Sequence, residues 1–178
     1  MNRILLASRI RRTMHRSRGR KTGIRYLFLD FDGVVNVMPE PDTEEFRKAA
    51  AAGQYEFFRP EIAERVGKLC LDYDLSIVIA SSWRFLGADA CMQKLYDAGM
   101  NRSVKTAGTT QAEDGPRELE IAGYLLEHPD YEAFLILDDL PMTVLKPWSI
   151  QAASETGYTE ADDRKARKML ADMLGTRH

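Results

Sequence analysis

The sequence predicts an α/β fold built on a parallel sheet with helices on both faces, and three observations carry that prediction. Apolar runs at 26–29, at 75–80 with Ser76 as the one polar residue, and at 134–137 have strand length and no polar alternation, as strands buried on both sides do. Segments whose apolar residues recur at helical spacing separate them, which is the pattern of alternating strands and helices. Each run also ends in polar residues: Asp30 and Asp32, Ser81 and Ser82, Asp138 and Asp139.

The elements follow in order. Tyr26-Leu27-Phe28-Leu29 is the first strand, and Val37 to Asp42, with Pro39 and Pro41, is loop. Thr43-Glu44-Glu45 opens an alanine-rich helical stretch to Ala52, a small insertion beside the end of that strand. From Arg59 to Leu71, Ile62, Val66, Leu69 and Cys70 mark a helix, with Pro60 and Glu61 suited to its first turn. Leu75 to Ala80 is a buried strand, and a second helical pattern runs from Phe85 to Ala98. Ser103 to Ala107 is a short third strand, Arg117 to Glu127 a helix, and Phe134 to Leu137 a buried strand. A last strand near Ser149 to Ala153 and a helix from Glu160 to Leu174 complete the series.

The 178 residues, 44% of them apolar, fit one domain with a sizeable core. No run approaches the ~20 apolar residues of a membrane helix. Cys70 and Cys91 lack metal-type spacing, and Cys70, in an apolar helical pattern with Val66 and Leu69, reads as a buried thiol, consistent with a reducing compartment and a cytoplasmic location. His15, His128 and His178 are scattered, none beside a candidate nucleophile, which argues against a Ser-His or Cys-His enzyme. The net charge of −2 hides an asymmetry. Residues 1–25 hold nine of the 25 basic residues and no acid, so the other 153 carry 16 basic against 27 acidic, a net −11. The basic arm, residues 1–24, permits three readings: a nucleic-acid-binding extension, an organelle transit peptide, or a solvated tail upstream of a start at Met14. Residues 25–178 form the folded domain.

In a strand, period-two geometry sends Asp30 and Asp32 to one side and Phe31 to the other. Two such acids repel unless a cation or a shared proton intervenes, which suggests a metal site, a proton-transfer site or both. Asp-x-Asp-Gly is also an ordinary turn. A calcium loop is excluded, because Val34 and Pro41 stand where its fifth and twelfth positions need oxygen ligands. What favours chemistry is the apolar strand directly upstream, since open α/β sheets bind ligands at the carboxyl ends of their strands. Ser81 and Ser82, and Asp138 and Asp139, would converge on the same edge.

Taken together and in this order, LDFDGVV, IVIASS and LILDD resemble the first, second and fourth motifs of the haloacid dehalogenase (HAD) superfamily of phosphohydrolases. For the lone basic residue of the third motif, Arg117 is chosen by its position at the start of the helix before the fourth strand, with Lys105 as second choice. SSWR, PRELEIAGYL, LDD and the late GYTEADD further resemble the small HAD domain of Swiss Army Knife-type RNA-repair proteins. The resemblance covers about residues 26–172. It implies a Rossmann-like sheet with the first strand central and little or no cap domain, residues 38–58 being too few for a large one.

The resemblance implies a Mg²⁺-dependent phosphomonoester hydrolase. Asp30 would be the nucleophile, forming an aspartyl phosphate, and Asp32 the general acid and base. Mg²⁺ would be held by the Asp30 carboxylate, the Asp32 backbone carbonyl and Asp139. Asp138 would stand behind them, or serve as a direct ligand in the alternative. Ser81, Ser82 and Arg117 would bind the phosphate, although the serines are also suited to capping a helix. Trp83 and Arg84 would meet a base or a second phosphate at the mouth; core packing of Trp83 with a surface salt bridge from Arg84 is the competing reading. Nucleotides or polynucleotide ends are the expected substrates, with sugar phosphates as the alternative. A non-catalytic nucleic-acid-binding or regulatory domain is the alternative of another class.

Overall fold

The computed structural model describes Ser8, Arg12 and residues 23–54, 56–111 and 116–175, so most of the basic arm lies outside the described residues. Five strands, β1 (Arg25–Leu29), β2 (Ser76–Ile79), β3 (Lys105–Thr109), β4 (Ala133–Asp138) and β5 (Ser149–Gln151), form one sheet in the order β3-β2-β1-β4-β5. All four pairings are parallel. This is the expected Rossmann-like arrangement, with β1 central.

Successive residues of each buried strand serve opposite faces. Leu27, Leu29, Ile77, Ile79, Leu135 and Leu137 enter one core together with α2 (Pro60–Tyr73), α3 (Ala88–Asp97) and α5 (Glu160–Leu174). Tyr26, Phe28, Val78, Phe134 and Ile136 enter a second core, covered by Ile121, Tyr124 and Leu125 of α4 (Arg117–Glu127). Burial on both faces explains why these strands read as apolar runs rather than alternating ones. Leu27, Phe28 and Leu29 have no exposed surface, and each such side chain stabilises the fold by roughly 1.5–3 kcal/mol relative to exposure. No described helix is long and apolar enough to cross a membrane.

Boundaries shift where local geometry overrides periodicity. The helix expected from Phe85 is a 3₁₀ turn (Ser82–Leu86) followed by α3, because Gly87 at φ +87° interrupts the helical backbone. Strand β3 lies two residues later than Ser103–Ala107, and its register against β2 shifts between Ile77 and Val78. There the Thr106 hydroxyl donates to the Ile77 carbonyl, 3.0 Å away, and Gly108 takes φ +112°. Strand β5 ends at Gln151, since Ala153 instead bridges to Gly157. The insertion carries α1 (Glu44–Ala51), capped by the Thr43 hydroxyl accepting from the Phe46 N–H. Cys70 and Cys91 are both free and buried.

The turn before α5 closes against the loop after β1: the Tyr158 N–H donates to the Val34 carbonyl at 3.0 Å. Gly157 makes that approach possible. It sits at φ +66°, and a Cβ there would lie 2.6 Å from the Val34 carbonyl oxygen and 2.8 Å from Ile62 Cδ1. We therefore expect Gly157→Ala to lower stability in urea unfolding by about 2–5 kcal/mol, combining left-handed strain with overpacking.

Candidate active site

Parallel register sets the site. Leu29 of β1 pairs with Ile79 of β2 and with Leu137 of β4, so the residues just beyond them reach the same sheet edge side by side. The Asp30 N–H donates to the Leu137 carbonyl and the Ala80 N–H to the Leu29 carbonyl, each at 2.9 Å, extending the ladder to Asp30, Ser81 and Asp138. All three side chains are buried. Beyond Asp30 the chain folds into a tight turn in which the Phe31 carbonyl accepts from the N–H groups of Val34, Val35 and Asn36. Gly33, at φ +72°, is required there, since a Cβ would lie 2.6 Å from Asp139 Oδ2. Glycine thus lets Asp139 approach the first strand.

Asp30, Asp138 and Asp139 each bring a carboxylate oxygen within 4.8 Å of the others. Against these three stands the guanidinium of Arg117, at the start of α4. Its Nη1 lies 3.2 Å from Asp30 Oδ1 and 3.4 Å from Asp138 Oδ2. Burial pushes the Asp30 carboxyl above its ordinary range, opposed by Arg117, by the Ser81 hydroxyl and by the Phe31 N–H. Burial and then the neighbouring Asp30 charge push Asp138 up to about 7, opposed by Arg117 and by the Leu140 N–H. Both shifts are chiefly effects of burial; the cluster itself sets three carboxylates against one guanidinium, and an all-oxygen donor set suits a hard divalent cation. The donors available are the free lone pairs of these carboxylates. Asp138 Oδ1 already accepts from the Leu140 N–H at 2.8 Å, and Asp139 Oδ2 from the Ser154 hydroxyl at 2.9 Å.

Asp32 stands apart from this cluster and is exposed. Its carboxylate accepts from Asn36 Nδ2 at 2.7 Å and from Trp83 Nε1 at 3.1 and 3.0 Å. The Trp83 ring packs edge-on against Phe58 and tilted against Phe31, with Lys94 Nζ 5.2 Å from its centroid. Trp83 therefore reaches the site through its N–H, with its ring held in the wall. Ser81, besides donating to Asp30, caps the 3₁₀ turn by accepting from the Trp83 N–H, whereas Ser82 is exposed within that turn.

Arg84 departs from both expectations. It forms a two-pronged bridge to Glu120 at 2.9 and 3.0 Å and also donates to the Ser81 carbonyl. With side chains only 10% and 7% exposed, this is a buried bridge rather than a surface one. Its guanidinium braces the turn after β2 against α4. Glu120 Oε2 also lies 3.6 Å from Arg117 Nε, so acid and base alternate from Arg84 through Glu120 and Arg117 to Asp30. Lys105 is at the amino end of β3, 3.6 Å from Asp74, away from the strand ends that carry the acids.

Asn36 and Glu120 do not stand out in the sequence. Glu120 looks like an ordinary acid in a helix's first turn. Asn36 has one signal, its place four residues after Asp32 at the close of the turn. Glu118, equally inconspicuous, accepts from the Thr143 and Val144 N–H groups and so holds the loop after β4.

Comparison with known proteins agrees with this architecture. Residues 26–162 match the model of a family described as the HAD domain in Swiss Army Knife RNA repair proteins. No curated protein and no solved structure matches the chain. The family match spans all of the sheet but Arg25 and every acid of the cluster, and its members are hydrolase-type domains. The chain therefore belongs to the family of HAD domains found in Swiss Army Knife RNA repair proteins.

Proposed function

We propose that the protein is a Mg²⁺-dependent phosphomonoesterase acting through an aspartyl phosphate, with nucleotides or polynucleotide ends as its substrates. The observation that carries this reading is the contrast between two aspartates at one sheet edge. Asp30 is buried against Arg117 and two further acids, while Asp32, two residues on, is exposed and held by neutral donors.

A nucleophile and a proton carrier need such different surroundings. Asp30 attacks phosphorus; as its O–P bond forms, the bond to the leaving oxygen breaks and that oxygen takes a proton from Asp32. Water then attacks the aspartyl phosphate, gives a proton to Asp32, and Asp30 is released with inorganic phosphate. Arg117 and the Ser81 hydroxyl border Asp30 and offset charge on the phosphoryl oxygens. Mg²⁺, held by Asp30, Asp139 and the Asp32 carbonyl, would supply the positive charge that the carboxylate cluster lacks. Asp138, occupied by the Leu140 N–H and Arg117, serves behind them.

Two features support a nucleotide-sized substrate. The insertion contributes a single short helix, leaving access to large molecules. Phe85, 79% exposed on the turn after β2, offers an aromatic face beside the Arg84 guanidinium, 5.5 Å from the ring centroid. The basic arm would add contacts to a phosphate backbone.

Release of phosphate from mononucleotides, phosphorylated oligonucleotides and sugar phosphates tests the substrate class; turnover of sugar phosphates alone would refute it. Asp30→Asn is expected to abolish turnover while leaving the circular dichroism spectrum unchanged, and normal activity in that variant would rule out the mechanism. Deleting residues 1–23 should weaken oligonucleotide binding and flatten its dependence on salt, an unchanged slope excluding the arm as a phosphate contact.

The raised Asp138 carboxyl gives a further expectation for protein stripped of divalent cations. Its folded pKa of about 7 exceeds the unfolded value, so the folded state holds the extra proton between about pH 4 and pH 7 and stability falls as pH rises through that window. The difference in unfolding free energy between the native chain and Asp138→Asn should shift against the native chain across that range, by roughly 4 kcal/mol at most. Added Mg²⁺ should reduce the shift.

A further inference from the structure

The hydrogen bonds around Asp32 distinguish its two oxygens. Oδ1 accepts from Asn36 Nδ2 at 2.7 Å and from Trp83 Nε1 at 3.1 Å, whereas Oδ2 accepts only a share of the same indole N–H, at 3.0 Å. A carboxylate oxygen has two in-plane acceptor positions. Among the described residues, Oδ1 therefore has both taken and Oδ2 keeps one.

Neither donor is free to turn away. Asn36 is buried, and its own Oδ1 accepts from the Phe57 N–H, which fixes the amide so that Nδ2 faces Asp32. The Trp83 ring is held by Phe31, Phe58 and Lys94, and Lys94 is itself anchored by Glu56 at 2.8 Å. Glu56, Phe57 and Phe58 all belong to the insertion after β1. An otherwise exposed aspartate is thus oriented by two preset donors backed by the insertion.

We infer that Trp83 and Asn36 are positioning residues that lock the Asp32 carboxylate by Oδ1 and leave Oδ2 as the atom that passes the proton. The inference rests on the phosphatase reading above. In the first half-reaction the Oδ2–H bond breaks as the proton moves to the leaving oxygen, whose bond to phosphorus breaks while the Asp30 O–P bond forms. Asp32 is left as the carboxylate that Asn36 and Trp83 solvate. Orientation matters because proton transfer needs hydrogen-bond reach along a defined direction, and a carboxylate free to rotate would lose it for part of the time.

The requirement for a proton depends on the leaving group, and this separates a positioning role from a structural one. p-Nitrophenolate departs with little help, whereas the alkoxide of a nucleoside or sugar needs a proton. Trp83→Phe keeps an aromatic ring and removes the N–H. Because phenylalanine also leaves a gap beside Phe31 and Phe58, the companion variant carries 3-benzothienylalanine at position 83, with the indole shape and sulfur in place of N–H. Both should lower kcat/KM, which reports the half-reaction in which the leaving group departs, for the best alkyl phosphomonoester of the panel by roughly tenfold or more, part of the ~100- to 10,000-fold that acid–base catalysis supplies, with much less effect on kcat/KM for p-nitrophenyl phosphate. Equal losses on the two substrates, or no loss in the benzothienyl variant, would overturn the assignment.

A second readout needs no turnover. The chain has two tryptophans, and the indole N–H resonance missing in Trp83→Phe identifies the one concerned. Asp32→Asn should move that resonance and leave the Trp148 signal in place; an unmoved Trp83 signal would remove the contact on which the inference stands. Failure of the unaltered protein to hydrolyse any phosphomonoester, with the resonance shift present, would instead refute the phosphatase reading while retaining the clamp.

Discussion

The parallel register of β1 and β4 is the constraint on which the rest depends. Pairing Leu29 with Leu137 forces Asp30 and Asp138 to the same sheet edge on neighbouring strands, and Asp139 follows at once. Three carboxylates held so close would separate if the strands were free to slip, because like charges in a poorly solvated edge raise one another's energy. They are not free. A slip of one residue would exchange the faces of Leu27, Leu29, Leu135 and Leu137 with those of Tyr26, Phe28, Phe134 and Ile136, setting leucines and aromatic rings in places shaped for the other set. The close packing of two cores resists that exchange, so the sheet holds the acids together.

The surrounding chain then manages that charge. Arg117 reaches Asp30 and Asp138 together, the Ser81 hydroxyl donates to Asp30, the Leu140 N–H to Asp138 and the Ser154 hydroxyl to Asp139. Asp32 escapes the same crowding because the turn at Gly33 directs it outward, where its donors are an amide and an indole. The insertion is best understood as a brace: through Phe57 it sets Asn36, through Phe58 and Glu56 it sets Trp83. Two aspartates of equal intrinsic acidity thus occupy unlike environments, one ionic and buried, the other neutral and open. That difference is the physical basis of the separate tasks proposed for them.

Strands β1, β2 and β4 are legible from sequence because burial on both faces leaves an unmistakable apolar run, and the acids are legible because they end those runs. Periodicity says which face a residue serves and not which partner it meets. For that reason Glu120 passes as a first-turn acid, although it binds Arg84 from 36 positions away, and Trp83 suggests a ring contact when its N–H is the part that reaches the site. The break at Gly87 is hidden for a different reason: apolar spacing continues across it, while the backbone there is in a region that only glycine enters readily. Strand β3, at the sheet edge and only partly buried, carries the weakest pattern and is the strand displaced at both ends from its expected place.

The choice between Arg117 and Lys105 shows how topology supplies what composition cannot. Both are cations near a predicted strand or helix start. A parallel strand carries its amino end to the edge opposite the acids, so Lys105, first in β3, is displaced by the length of the sheet and meets Asp74 instead. A helix that precedes β4 must begin near the edge where β4 ends, because it runs back to let the next strand enter in parallel; Arg117, first in α4, is therefore delivered to Asp138. Once there, the guanidinium suits the position better than an ammonium would. Its separated nitrogens let Nη1 lie between carboxylates from two strands while Nε faces Glu120, a spread that a single point charge on a flexible stem would not hold in one geometry. Glu120 does not draw Arg117 away from the acids, since its own charge is matched by the two-pronged bridge to Arg84. That buried bridge keeps the Arg117 guanidinium directed at Asp30.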